Sequence, residues 1–592
     1  DKSEVAVRFA MCFPDVYEIG MSHLGIQILY DMFNQRDDIW CERVYSPWPD
    51  MDKVMRDKKI PLFALESQDP VKNFDFLGIT IQYEMCYTNI LQILDLSGIP
   101  LLAEKRTWDD PIVIGGGPCT YNPEPLAQFF DIFYIGEGET VYFQLLDLYK
   151  EERAKGSSRM EFLKKAAQIP GLYVPSLYEV SYKEDGTIAG FQPVYEDIPT
   201  VIHRQVVENM SESVYPDKPL VPFIKVTQDR VVLEIQRGCI RGCRFCQAGN
   251  VYRPLREHSL EYLKHYAYDM LKSTGHEEIS LSSLSSSDYS QLKELVNFLI
   301  EEFHGKAINI SLPSLRIDAF ALDVMSKVQD VKKSSLTFAP EAGSQRLRDV
   351  INKGLTEEVI LHGAGEAFKG GWNQVKLYFM LGLPTETEDD MKGIAHLAQK
   401  IAETYYEVVP KEQRKGKVQI NVSTSFFVPK PFTPFQWAPM YTEQDFVEKA
   451  KVVKNEVRAQ LNQRSIRYNW HEPDVTALEG FLARGDRRCA DVILKAYEKG
   501  ALYDAWTENF DYDIWKEAMA ECGVDMTFYT LRERSLDEIL PWDFIDTGVS
   551  RRFLEREWQR AKEGVVTENC RQKCSACGAM KFKGGVCLEG KN

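Results

Sequence analysis

The chain has 592 residues, 44% of them apolar, and a formal net charge of −17. That length is too great for one hydrophobic core and, at about 150 residues per domain, predicts three or four folded units. The excess of Asp and Glu (88) over Lys and Arg (71) repels polyanions at long range, which disfavours nonspecific nucleic-acid binding, and no apolar run reaches the roughly 20 residues of a membrane helix, so no membrane partner is expected.

From Val5 to about Leu148, strand-like apolar runs alternate with amphipathic helices, the pattern of a doubly wound α/β domain over 1–150. Strands are predicted at Val5-Phe9, Phe76-Ile81, Ile112-Ile114 and Ile132-Ile135, with helices near Leu24-Phe33, Thr88-Leu96 and Thr140-Tyr149. Loops after such strands form a ligand face. Three are distinctive: Gln82-Tyr83-Glu84, Gly115-Gly116-Gly117-Pro118 and Gly136-Glu137-Gly138-Glu139-Thr140, whose glycines let backbone approach a bulky ligand. Ahead of the first helix runs Asp15-Val16-Tyr17-Glu18-Ile19-Gly20, with His23 at the helix start. Residues 151–225 read as a connector: a charged helix, Leu172-Val174, and a hairpin of Tyr178-Tyr182 and Ala189-Val194 about Asp185-Gly186.

The run Val231-Val232-Leu233-Glu234-Ile235 predicts a buried strand, and directly after it Cys239, Cys243 and Cys246 form C-x3-C-x2-C. Three thiolates from one short loop hold three irons of a four-iron four-sulfur (4Fe-4S) cluster and leave the fourth for a substrate or cosubstrate. A structural zinc loop is the alternative. It lacks a fourth Cys or His at hook distance, and His258, twelve residues on, reads as a helix-start residue. Spacing and strand-loop context resemble the radical S-adenosylmethionine (SAM) superfamily.

Two glycine loops on successive strands before such a cysteine loop resemble the N-terminal domain of cobalamin-binding radical SAM enzymes. That resemblance implies that Tyr17, Thr80, Gln82, Tyr83, Gly115, Gly116, Gly117, Gly136, Glu137 and Gly138 surround a cobalamin. Tyr17 stands where free cobalamin domains place the histidine of D-x-H-x-x-G, so cobalt would be held without a histidine ligand, and Thr80 stands in the serine place of S-x-L.

After the cysteine loop, strand-then-helix units recur at Glu278-Leu281, Ile308-Leu312, Ser335-Phe338, Val375-Leu381 and Val418-Phe427. With Val231-Ile235 they make six, and the resemblance implies a partial (β/α)6 barrel over 226–440. It also implies SAM contacts at the strand ends: Phe245 in the cysteine loop, Ser283 and Ser285 after the second strand, Glu341 in Ala339-Pro340-Glu341-Ala342-Gly343-Ser344, and Gly382 and Pro384 near the adenine. Arg346 and Lys353 are either carboxylate partners or solvated helix charges. The stiff aromatic segment Phe427 to Trp437 suits a substrate pocket.

Residues 441–569 read as a helical C-terminal domain, and 570–592 as a cysteine-rich tail. Cys570, Cys574 and Cys577 repeat the C-x3-C-x2-C spacing and Cys587 follows; four thiolates fit an auxiliary 4Fe-4S cluster or a zinc ion. Thirteen cysteines with two tight clusters fit a reducing compartment, the cytoplasm, better than a disulfide framework. Three functions compete: cobalamin-dependent methylation of an unactivated carbon through a 5′-deoxyadenosyl radical; sulfur insertion or methylthio transfer, on RNA or a ribosomal component, using the auxiliary cluster; and a noncatalytic iron-sulfur regulator. The first two require an electron donor such as flavodoxin or ferredoxin. The substrate is not legible.

Overall fold

The computed structural model describes residues 4–303, 305–306, 308–312, 336–414 and 416–587. The chain forms two units, one of Asp1–Asp229, Phe481–Tyr529 and Ser535–Gly548, the other of Arg230–Gly480, Thr530–Arg534 and Val549–Asn592. Among the described residues no helix is long and apolar enough to cross a membrane.

Six strands build the main sheet of the first unit: β1 (Val7–Phe13), β2 (Ile39–Tyr45), β3 (Phe76–Thr80), β4 (Ile112–Gly116), β5 (Ile132–Tyr134) and β6 (Leu172–Tyr173), in the order β2-β1-β3-β4-β5-β6. The first five run parallel and β6 antiparallel to β5. Phe9, Leu77 and Val113 are wholly buried, as helix-covered parallel strands require. Strand β2 was not anticipated, because Glu42 and Arg43 interrupt its apolar run. The Glu42 side chain is fully buried and Arg8 reaches it at 2.6 Å, so the interruption is an internal ion pair rather than a surface turn.

The predicted connector 151–225 belongs to this unit: β6 closes the sheet, β7 (Tyr178–Tyr182) and β8 (Ile188–Pro193) form a hairpin, and β9 (Ile202–His203) pairs with Ile545–Asp546. The predicted domain 441–569 does not stand alone either. Its segment Phe481–Tyr529 folds with the first unit: Asn122 Nδ2 donates to Ala483 O and Gly485 O, both at 2.9 Å, and Tyr503 Oη donates to Ser46 O at 2.8 Å. Asp504 is buried and accepts from Thr88 Oγ1 (2.9 Å) and Trp515 Nε1 (3.1 Å), and burial pushes its carboxyl up to about 6. A carboxyl that holds its proton more tightly folded than unfolded stabilises the fold below pH about 4, and that contribution is lost as pH rises through about 6. Asp504→Asn should therefore flatten the decline in melting temperature across that window, measured by calorimetry.

The second unit carries β10 (Val231–Glu234), β11 (Gln236–Arg237), β12 (Arg256–Glu257), β13 (Glu278–Ser282), β14 (Asn309–Ser311), β15 (Leu336–Glu341), β16 (Gln374–Leu381), β17 (Gln419–Phe426) and β18 (Ile466–Trp470). Helices connect successive strands within the parallel sheets β10-β13-β14 and β15-β16-β17-β18, and β11 and β12 make a short antiparallel clip. Ser335, the first residue of one predicted strand, lies outside the described residues. The predicted barrel gains β18, whose run Ile466-Arg467-Tyr468-Asn469-Trp470 alternates inward and outward as an edge strand does. Buried Val375, Leu377, Phe379, Ile420 and Val422 meet Ile394, Ala398 and Ile401 of the helix Glu388–Val408 to form the core.

Candidate active site

Strands β11 and β12 pair Gln236 with Glu257 and Arg237 with Arg256, clipping residues 238–255 into a closed loop at the C-terminal end of β10, the edge where barrel active sites sit. This loop carries Cys239, Cys243 and Cys246. The amide of Arg241 lies 3.4 Å from Cys239 Sγ and that of Gly249 lies 3.3 Å from Cys246 Sγ, so two sulfurs receive backbone N–H donors. Burial, reinforced by the neighbouring thiolates, pushes Cys239 up to about 12 and Cys246 up to about 11. Such thiols give up their protons only to a cation, and iron supplies one. Among the described residues no three His, Cys, Asp or Glu side chains converge as a single ion would require; a 4Fe-4S cluster instead asks for one thiolate per iron. The donor set fits the cluster.

On the Cys246 side stand Glu341 and Lys353. Lys353 Nζ is 3.2 Å from Glu341 Oε1 and 5.8 Å from the Phe245 ring centre, so three predicted SAM residues converge beside the third cysteine. Glu341 closes β15 after a register shift and has φ of +67°, a conformation costing about 1–3 kcal/mol for a non-glycine residue. Ser283 Oγ lies 3.0 Å from Ser286 Oγ. Ser285 is 3% exposed and Gln236 2%, and Ser285 Oγ and Gln236 Oε1 have no hydrogen-bond partner among the described residues, although Gln236 Nε2 donates to Ser285 O at 2.7 Å. Buried acceptors left unpaired call for a donor from a ligand, and the ammonium of SAM carries three N–H groups. Gln236 was missed because the strand reading stopped at Ile235; the clip that buries it joins residues twenty positions apart.

Other predicted contacts are corrected. Gly382 faces the chain's own rings, since a Cβ there would lie 2.8 Å from Phe446, and its amide donates to Glu386 Oε1 at 3.0 Å while Lys449 Nζ lies 2.9 Å from the same oxygen. Pro384 is half-buried in that turn. Arg346 is paired with Asp390. Phe427, Phe435 and Trp437 are buried, with Phe435 edge-on to Phe427 and Trp558, so they are core rather than pocket wall.

The predicted cobalamin residues share one edge of the first unit's sheet, but the chain fills the space beside them. His23 caps the helix Leu24–Asn34, accepting from Ile26 N at 3.2 Å, and also meets Gln82, which donates to Thr80 Oγ1 at 2.6 Å, beside the crevice between β1 and β3 where strand order reverses. A Cβ at Gly115 would lie 2.9 Å from Phe133, at Gly117 2.8 Å from Ile81 O, at Gly136 2.2 Å from Gln205 O, and at Gly138 2.9 Å from Leu29. Glu137 accepts from Val207 N at 2.6 Å, Tyr83 is half-buried at the turn before Glu84, and only Gly116 of these glycines faces open space. Tyr17 accepts from Phe223 N at 3.1 Å and lines an apolar cavity of about 620 Å³ with Tyr45, Trp48, Met51 and Trp506, on the β1–β2 side. The chain's own atoms thus lie beside Gly115, Gly117, Gly136 and Gly138, while Tyr17 borders the cavity.

The tail packs on the cysteine loop within the same unit: Cys570 N donates to Ile240 O at 3.1 Å and Val586 N to Leu255 O at 3.0 Å. Among the described residues no cysteine is joined in a disulfide.

Fold and site together define a radical SAM enzyme. Residues 25–175 match the family of radical SAM proteins, N-terminal, and residues 233–398 match the radical SAM superfamily; the chain belongs to this superfamily and carries its N-terminal domain. An uncharacterized protein of Methanocaldococcus jannaschii is 29% identical over 520 residues, covering 86% of this chain and 97% of its own. A protein of Pyrococcus horikoshii named as an uncharacterized methyltransferase is 24% identical over 355 residues, 56% of this chain and 66% of its own. Among solved structures, the cobalamin-dependent SAM radical enzyme OxsB is 14% identical with a TM-score of 0.48, over 95% of this chain and 80% of that one.

Proposed function

We propose that the protein uses one SAM as the source of a 5′-deoxyadenosyl radical that takes a hydrogen atom from an unactivated carbon of its substrate, and that in the leading reaction, cobalamin-dependent methylation, a second SAM gives up its methyl group, with one further electron from the donor protein, and leaves as S-adenosylhomocysteine. The observation that carries the reading is the convergence at one barrel edge of the Cys239, Cys243 and Cys246 loop, the Glu341–Lys353 pair with Phe245, and the unpaired acceptors Gln236 Oε1 and Ser285 Oγ. When bound and reduced, the cluster supplies the electron that splits SAM into methionine and a 5′-deoxyadenosyl radical. The protein's own part is positional. Gln236 and Ser285 receive the ammonium, Lys353 answers the SAM carboxylate, and Glu341 holds Lys353 toward Cys246. The name of the Pyrococcus relative favours methyl as the group transferred. The four-cysteine tail beside the same loop favours a second reading, sulfur insertion.

Anaerobically reconstituted protein with dithionite and SAM should release 5′-deoxyadenosine; its absence would leave a regulator. Trideuteromethyl-SAM fed to cells should then leave a product three mass units heavier in an overexpressing strain than in a deletion strain, and a product carrying new sulfur would decide for insertion. Lys353→Ala should raise the KM for SAM about tenfold, the loss of one charge-assisted contact.

A further inference from the structure

We propose that the cysteine tail is the electron-entry port of this enzyme: Cys570, Cys574, Cys577 and Cys587 hold an auxiliary iron-sulfur cluster that passes one electron inward to the cluster on Cys239, Cys243 and Cys246, and the basic surface around it docks an acidic one-electron donor protein. The proposal rests on the reading of the barrel site above.

The tail is fastened to the loop it would serve. Besides the bonds from Cys570 to Ile240 and from Val586 to Leu255, the side chains of Ile240, Leu255 and Val586 form one apolar cluster with Cys570 packed against it. Gly585 has φ of +68°, and a Cβ there would sit 1.9 Å from Leu255 O, so only glycine lets the backbone come this close and bring Cys587 to the loop. Arg571 reaches back to Glu257 at 2.5 Å and to Asp288 O at 2.6 Å. The four tail thiols lie within electrostatic reach of one another.

Arg253 joins the two thiol groups. Arg253 is 4% exposed, and its guanidinium lies within electrostatic reach of Cys577, Cys570 and Cys239. Nε and Nη2 are fixed by Gly249 O at 3.1 Å and Arg241 O at 3.2 Å, both carbonyls of the first cysteine loop. One buried cation thus spans from the tail to the first cysteine, where it would offset the added negative charge as either cluster is reduced. Glu341 and Lys353 stand by Cys246, whereas Arg253 stands by Cys239, and Arg571 of the tail meets the carbonyl of Asp288, three residues past Ser285. A sulfur donor would have to reach the substrate; a relay need only reach the cluster.

The outer side of the tail is accessible and basic. Cys574 is exposed, as are Lys573, Lys581 and Lys583, on a chain whose net charge is −17. A local positive patch on an acidic protein steers an acidic partner to one spot. The electron balance is simple: the donor loses one electron, the auxiliary cluster gains and then loses it, and the first cluster ends one electron more reduced, with no bond made or broken.

The test compares two reductants on anaerobically reconstituted full-length protein. Dithionite is small and reaches either cluster, whereas reduced flavodoxin must dock. In Cys574→Ser/Cys577→Ser, iron should fall from about eight to about four per chain, one of two reduced-state EPR signals should vanish, and flavodoxin-driven 5′-deoxyadenosine formation should be lost while dithionite-driven formation continues. Lys573→Glu/Lys583→Glu should keep both EPR signals and lower the ratio of flavodoxin-driven to dithionite-driven rate about tenfold at low salt. Zinc in place of iron at the tail, or equal loss under both reductants, overturns the relay. Failure of dithionite to drive SAM cleavage in the unmodified protein overturns the barrel reading on which the relay stands.

Discussion

Cys243→Ala should lower 5′-deoxyadenosine formation by more than about a thousandfold, because the reaction has no path without the electron the cluster supplies. Each loop cysteine carries one iron, and the two remaining thiolates lack the charge and geometry to retain the cluster. The loop itself should persist. Its ends are clipped by β11 and β12, and Asn352 Nδ2 holds Gly242 O at 3.0 Å without any metal. Far-UV circular dichroism should therefore match the parent while iron falls by about four per chain. Cys12→Ser is the control: Cys12 is a wholly buried residue of β1, and its replacement should leave iron and turnover intact. Cleavage surviving in Cys243→Ala with full iron would mean that the cluster is held elsewhere.

Arg244→Met should destabilise the second unit by about 3 kcal/mol, the cost of breaking a buried ion pair that leaves Glu557 to Arg560 at 3.5 Å and Thr567 Oγ1 at 2.8 Å. The Arg244 side chain is 0% exposed and Glu557 3%, with Nη2 and Nε at 3.1 and 3.2 Å from Glu557 Oε2. The same guanidinium donates to Val350 O at 2.9 Å and Val565 O at 2.6 Å, so one side chain ties the cysteine loop to the helices Gln345–Val350 and Arg551–Lys562 and to the strand of chain that leads into the tail. Arg244→Met/Glu557→Leu removes both charges and should recover part of the loss, the part that comes from a buried carboxylate short of one partner, while Arg560 and Thr567 lose their contact with Glu557. Urea unfolding followed by tryptophan fluorescence would measure both. Equal destabilisation of single and double variants would show that backbone carbonyls, not Glu557, set the cost.

Local pattern made much of this legible. The apolar runs of β3 and β4 lie near their expected bounds because a buried parallel strand has no exposed face to confuse the period, whereas β1 runs four residues past its expected end, to Phe13, and C-x3-C-x2-C after a strand is a spacing with few other uses. What escaped depends on contacts distant in sequence. Strand β2 contains Glu42, which reads as a surface residue until Arg8 is seen beside it. Strand β18 is five residues of mixed polarity, short enough to vanish among helices. The partition of 441–569 between two units follows from pairs such as Asn122 with Ala483, which no local period encodes. The glycine loops show the converse. Gly117 and Gly136 are needed for close approach, as expected, but what approaches is Ile81 and Gln205 of the same chain. A glycine records that something comes near, not what.

Because the first unit takes in Phe481–Tyr529 and Ser535–Gly548, its opening segment leaves the ribosome hundreds of residues before its own last layer is made. Helix Tyr87–Leu96, nine of whose ten residues are buried in the finished fold, must wait uncovered while the barrel segment is synthesised. A nascent chain with that much apolar surface is prone to aggregate. Ribosome-bound chains halted before residue 481 should accordingly be captured by holdase chaperones, and a gene fragment ending near residue 229 should yield insoluble product.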